Sequence, residues 1–314
     1  MSTQLPDTPA CAEYDPTVNP GSYGYRPSLA WGITFTVLFS LIAAAQLFHM
    51  LRTRAFWTFF FIVGAILEII GWVGRTVSYH CPYSRPCFLM QTATLIMGGL
   101  TCATHLETGP SWTQAGIYVT LWVLIQNIGR HVSPFPPKTY LFVCFCIDVI
   151  CLTTQATGGG LAGSAYTEGK STQPGTITMV VGIIAQLAAA VVFSLLLGFV
   201  LYRGSHELRV NRPLFYVAAA TVFATSMMIM RNVYRSIELT EGWRGYLITH
   251  EKYVLALDGL PMVLSMGIFV FFNPGAQFGL QAGRRERDEQ EELELSQQEG
   301  ERPRKHKLER YFQL

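Results

Sequence analysis

Charge is scarce in this 314-residue chain: Asp, Glu, Lys and Arg make up 14% of it, and the formal net charge is +2. So small a balance excludes a nucleic-acid partner held by a basic face. The seven cysteines form no Cys-x-x-Cys pair and show no zinc-ligand spacing. Cys144, Cys146 and Cys151 lie in an apolar run and read as small packing residues. Cys81 and Cys87 flank a short loop, and they are a candidate disulfide if that loop faces an oxidising compartment. A phosphate-binding loop is missing too. Residues 164–171 come near one, but the first glycine is absent and Pro174 is expected to prevent the helix that should follow. No ATPase motif is left, and no cofactor is expected. Residues 1–30 have neither a basic start nor an apolar core, so no cleavable signal is expected and the first span should direct insertion itself.

Apolar sequence is abundant. Half the residues are hydrophobic and mean hydropathy is positive, the composition of a polytopic membrane protein. The organisation predicted is an extracellular disordered segment over 1–27, a seven-helix transmembrane domain over 28–275 and a charged cytoplasmic tail over 276–314. Apolar runs occupy 30–51, 56–77, 139–157, 177–202, 214–234 and 253–272. Gly158-Gly159-Gly160 is the predicted end of the 139–157 run. Residues 88–128 are apolar but interrupted at His105 to Pro110, which fits two spans or one span with an insertion. Loop charge favours one. Arg52, Arg54, Arg130, Lys138, Arg203, Arg209 and Arg212 then share a side, against Arg85, Lys170 and Arg244 on the other. The positive-inside bias places the N-terminus outside and the tail in the cytoplasm.

The stretch Gly64 to Arg75 stands out. Gly64, Glu68, Gly71 and Arg75 are spaced four, three and four, so they share one helical face. Ionisable groups at such depth normally face a bundle interior or a wet cavity. Other spans supply counterparts: Asp148 and Gln155; Arg231, Arg235 and Glu238; Glu251 and Asp258. On a rise of about 1.5 Å per residue, Arg75, Gln155, Arg231 and Asp258 lie within roughly 10 Å of the outer ends of their spans. Glu68 and Asp148 lie nearer the midplane, and Arg231 and Asp258 are at matching depth for a direct pair. Pro261 frees a backbone carbonyl that needs a partner. These nine residues, Glu68 to Asp258, are the candidate substrate-binding set. Two readings share them: a polar cavity whose acid surplus suits a cationic head group, or an ion-pair network holding the helices in register. Tyr23, Tyr25, Trp31, Trp57, Trp72 and Tyr202 lie near span ends, and most read as interface anchors.

Several ordered motifs resemble one family. They are Gly64…Glu68…Gly71-Trp72…Arg75; Gln91; Ala115-Gly-Ile-Tyr118; Asp148…Gln155…Gly158-Gly159-Gly160; Arg231…Tyr234-Arg235…Glu238; Glu251…Asp258…Pro261-Met262; and Pro274-Gly275. The chain resembles the fungal lipid-translocating exporters, the RTA-like proteins of aminocholesterol resistance. The resemblance implies a seven-span membrane protein that moves amphipathic lipids such as sphingoid bases or sterol-like toxins, and the plasma membrane is its expected location. No catalytic residues carry over from it, and no enzyme is expected. Its partners would be membrane lipids and an amphipathic or sterol-like substrate. One departure is visible: residues 98–109 look inserted relative to the family pattern. A seven-helix receptor sensing lipid or membrane stress is the alternative reading of the same topology.

Overall fold

The computed structural model describes residues 11, 14, 25–83, 109–129, 132–133, 136–167, 170–241, 245–247, 249–275 and 277. The region 84–108, with Cys87, Gln91 and most of the apparent insertion, lies outside the described residues, as does nearly all of the tail. The described residues are helical, without strands. α1 is Leu29–Thr53. α2 is Phe59–His80, entered through a 3₁₀ turn at Phe56–Thr58. α3 is Gly109–Ile128, α4 Pro137–Thr167 and α5 Gln173–Arg203; Pro174 lies in the first turn of α5, where its missing N–H costs nothing, so the expectation that it prevents a helix is overturned. The short α6, Ser205–Val210, leads into α7, Arg212–Glu241. α8 runs Glu251–Phe271 and contains a π turn at Leu255–Gly259.

Six of these helices are long and apolar enough to cross a membrane: α1, α2, α4, α5, α7 and α8. Each turns large apolar side chains outward, such as Leu41, Phe59, Phe142, Leu195, Phe223 and Leu264. In lipid such a surface needs no cover. Most Ser and Thr hydroxyls of the described helices are spent within their own helix, as at Thr36, Thr76, Thr120 and Thr225, each donating to the carbonyl four residues back. That habit suits a solvent that offers no hydrogen bonds. We conclude that this is a multi-pass membrane protein.

α3 is different. It shows no exposed large apolar side chain, and Thr113 to Leu121 are buried without a break. It packs against α2, α4 and α7 and touches α8. Around it the neighbours run α1–α2, α4–α5, α5–α7 and α7–α8, and α8 returns to α1. The interruption expected around residues 105–110 is in part a helix start: Pro110 lies in the first turn of α3, where its missing N–H costs nothing.

The glycine triplet does not end α4, which continues to Thr167. Gly158 is instead a contact point with α5. A Cβ there would sit 2.6 Å from the Met179 nitrogen, and one on Gly175 would sit 2.5 Å from the Gly158 oxygen. Small residues let the two backbones touch, and dispersion packing, not water exclusion, then holds the pair. The expected stop is overturned because a packing glycine and a terminating glycine are the same residue.

The two ends of the bundle are distinct. At one, Ala55 meets Gly275 and Ile128 meets Gly204, and Arg52, Arg54, Arg203, Arg209 and Arg212 are exposed nearby in sequence. At the other, Cys81 bonds Cys11, so the expected Cys81–Cys87 pairing is overturned. The physical reason is that, among the described residues before α1, Cys11, Tyr14, Tyr25 and Arg26 lie against this end. Tyr14 stacks on Tyr83 at 6.3 Å, and the Arg26 guanidinium lies 4.1 Å over the Tyr79 ring.

Candidate functional site

The buried polar residues of α2, α7 and α8 stack in two tiers. The upper tier, at the Cys81 end, centres on Arg75. Its Nη2 donates to Glu251 Oε1 at 2.9 Å and to the Tyr25 hydroxyl at 2.7 Å. The Ser28 backbone N–H also donates to Glu251 Oε1, at 2.9 Å. Burial pushes the Tyr25 hydroxyl above its ordinary range against the pull of Arg75, so it stays a neutral acceptor. One guanidinium thus ties the chain before α1 to α2 and α8.

The lower tier lies seven residues inward on both α2 (Glu68) and α8 (Asp258), about 10 Å deeper. Asp258 is its hub. Arg231 Nε approaches Asp258 Oδ1 at 2.8 Å. Arg235 reaches the same carboxylate through Nε, at 3.1 Å to Oδ1, and through Nη2 to Oδ2. Arg235 Nη1 also donates to Glu238 Oε2 at 2.6 Å, and the Tyr234 hydroxyl donates to Glu238 Oε1 at 3.0 Å. A bidentate fork on a carboxylate is the strongest geometry available to arginine. All four charged groups are buried.

Local sequence explains how Asp258 arrives there. Pro261 cannot donate to the carbonyl four residues back. The helix answers with a π turn, in which the Leu260 N–H donates to Leu255 O. π turns of this kind gather at functional sites, and this one carries Asp258. Next to it, a Cβ on Gly259 would sit 2.8 Å from the Trp72 ring and 3.0 Å from Phe35. Trp72 and Phe35 stack at 4.3 Å. Trp72 is fully buried, so it is a core residue and not the interface anchor its place in the sequence suggests.

Glu68 completes the tier. It is 1% exposed, its Oε1 has no hydrogen-bond partner among the described residues, and it lies within electrostatic range of Arg231, Asp258 and Arg235. Among the described residues the tier therefore holds three carboxyls, Glu68, Glu238 and Asp258, against two guanidiniums. The Arg231–Asp258 pair expected from matching depth is present, and so is the shared face of Gly64, Glu68, Gly71 and Arg75, all buried.

Two candidates stand apart. Asp148 on α4 neighbours Tyr118 of α3 and is absent from the charges that act on Glu68. Gln155 donates through Nε2 to Gln186 Oε1 of α5 at 3.0 Å. Sequence reasoning assigns no place in the site to Tyr25, Gln114, Tyr118, Tyr234 or Gln186. Tyr118 and Tyr234 do stand among the family motifs, and the four-residue spacing from Tyr234 to Glu238 is a usable signal of their contact.

Both tiers fall almost wholly within the stretch that the chain shares with known proteins. The model of the RTA1-like proteins matches residues 61–281. The chain belongs to the RTA1-like family. That match contains both tiers except for Tyr25 and Ser28, and it contains all nine candidate residues. Among RTA1-like relatives, the sphingoid long-chain base transporter RSB1 of Saccharomyces cerevisiae is 30% identical over 292 residues, covering 81% of this chain and 74% of its own. Protoporphyrin uptake protein 1 of the same yeast is 24% identical over 234 residues, covering 70% of this chain and 68% of its own. Protein RTM1, also from that yeast, is 27% identical over 226 residues, covering 69% and 66%. No solved structure matches the chain.

Proposed function

We propose that this RTA1-like protein moves cationic amphipathic lipids, sphingoid bases above all, across the bilayer and so confers resistance to them. The observation that carries the reading is the lower tier. It is buried at membrane depth, and among the described residues it holds one carboxyl more than guanidiniums and leaves one Glu68 oxygen unengaged. A protonated amine on a single chain supplies the missing charge, and the apolar bundle around it suits the chain. Sterol-like toxins that carry an amine fall in the same class. The name of the 30%-identical relative supports sphingoid bases as the substrate class. The named relatives also favour transport over catalysis.

In this reading α3 also crosses the bilayer, giving seven spans, with the N-terminus outside and the tail in the cytoplasm. The Cys11–Cys81 bond supports an oxidising compartment at that end. The exposed arginines at the opposite end support the cytoplasm there. An exporter of this kind belongs in the plasma membrane, which a fluorescent fusion tests directly.

The chemical class is tested by ligand-induced thermal stabilisation of the purified protein. A ligand at 100 times its Kd adds about 2.7 kcal/mol. A sphingoid base should raise the melting temperature, and its N-acylated, uncharged counterpart should not. Equal shifts from both would remove the case for charge recognition.

A further inference from the structure

A second buried polar site lies between α3 and α4, away from the two tiers. Asp148 is 4% exposed, Gln114 3% and Tyr118 3%. Gln114 and Tyr118 are four residues apart on α3, so they share a face, and Tyr118 interacts with both Gln114 and Asp148. The Tyr118 ring packs on Phe193 of α5 at 4.6 Å. Asp148 Oδ2 and both amide atoms of Gln114 lack hydrogen-bond partners among the described residues. Asp148 is eleven residues into α4, about 16 Å along it, which is half of a hydrocarbon core of about 30 Å.

Among the described residues, the ionisable groups that act on Asp148 are Tyr118 from α3 and Cys144 and Cys151 from its own helix. Each of these is neutral or negative at any pH. The tiers bring their own guanidiniums, but the described residues of this site bring none, and an uncompensated charge at this depth is expensive. Neutralisation has to come from the aqueous phases. A hard metal cation asks for roughly six oxygens. The described residues of this site offer those of Asp148, Gln114 and Tyr118, because the helix carbonyls are committed to their own bonds. A proton needs one oxygen. Intramembrane acids in this setting serve as proton relays in pumps and transporters.

We propose that Asp148, framed by Tyr118 and Gln114, is a proton-binding site through which lipid movement is coupled to a proton gradient. The step is a simple association: one proton adds to the carboxylate on one side of the membrane and leaves on the other. The coupling half rests on the transport reading above, and the proton site does not.

The test has two arms on the full chain in liposomes. In the first, infrared difference spectra are recorded across pH in potassium buffer. The wild type should show a protonated-carboxyl band that grows as pH falls and is missing from Asp148→Asn. Tyr118→Phe should keep the band and move its midpoint by about one pH unit. A band unchanged in Asp148→Asn overturns the site, as does a band that sodium erases at constant pH. In the second arm, an imposed pH gradient should speed movement of a labelled sphingoid base about tenfold in the wild type, relative to protein-free liposomes under the same gradient. Asp148→Asn should lose that acceleration, and an undiminished acceleration overturns the coupling. If the wild type moves no lipid at all, the transport reading falls, and the coupling with it, while the infrared band still decides the proton site.

Discussion

Replacing Asp258 with asparagine separates the two meanings of the buried charges. Asp258 engages Arg231 Nε at 2.8 Å and Arg235 Nε at 3.1 Å, and it also takes Arg235 Nη2. Asparagine keeps the shape, loses the charge and turns an amino group toward a guanidinium. Removing one partner from a buried pair costs about 3–5 kcal/mol. Arg235 still holds Glu238 at 2.6 Å, and Glu68 lies within electrostatic range of both arginines, so the low end, about 3 kcal/mol, is expected. At about 2–4 °C per kcal/mol for a domain of this size, the melting temperature should fall by about 6–12 °C. Thermal scans of the detergent-solubilised protein by size-exclusion chromatography measure this. Adding Arg231→Gln should cost less than the sum of the two single changes, by at least about 0.5 kcal/mol. A loss below about 1 kcal/mol in Asp258→Asn, with strict additivity in the double variant, would refute the hub assignment.

Three further outcomes follow from the geometry. Glu68→Gln should change the melting temperature by less than about 3 °C, because one carboxylate oxygen has no partner among the described residues to lose; the same thermal scans check it. Cys11→Ser and Cys81→Ser should each destabilise by about 2–4 kcal/mol, as expected for opening a cross-link across 70 residues. Cys87→Ser should not, and peptide mapping without reductant should recover the Cys11–Cys81 link. Gly175→Ala, whose Cβ would lie 2.5 Å from the Gly158 oxygen, should cost about 1–3 kcal/mol. Gly198→Ala meets nothing within 4 Å and should be neutral or stabilising by up to about 1 kcal/mol; both are read by thermal scans.

Much of the lower tier is legible in the amino-acid sequence. A helical repeat of four, three and four places Glu68 and Arg75 on one inward face, and matching depth pairs Arg231 with Asp258. Those inferences work because charge in lipid leaves few places to go. Division of labour within the cluster is not legible. Periodicity says which way Asp258 points, but not that a π turn ahead of Pro261 puts it under two guanidiniums while Glu68 keeps an unengaged oxygen. Nor can it show that Asp148 and Gln155 sit elsewhere, since that depends on which helices neighbour one another. The Cys11–Cys81 link escapes because 70 residues separate the partners, and sequence spacing carries no signal over that distance. Gly158 misleads because a glycine that lets helices touch is indistinguishable, in one sequence, from a glycine that ends one.

The most direct measurement is transbilayer movement of a labelled sphingoid base in liposomes that hold only this protein. The wild type should move the lipid faster than empty liposomes, and Glu68→Gln, reconstituted at equal level and with its melting temperature intact, should not. A Glu68→Gln variant that moves lipid as fast as the wild type would contradict the claim that the lower tier handles the cationic head group.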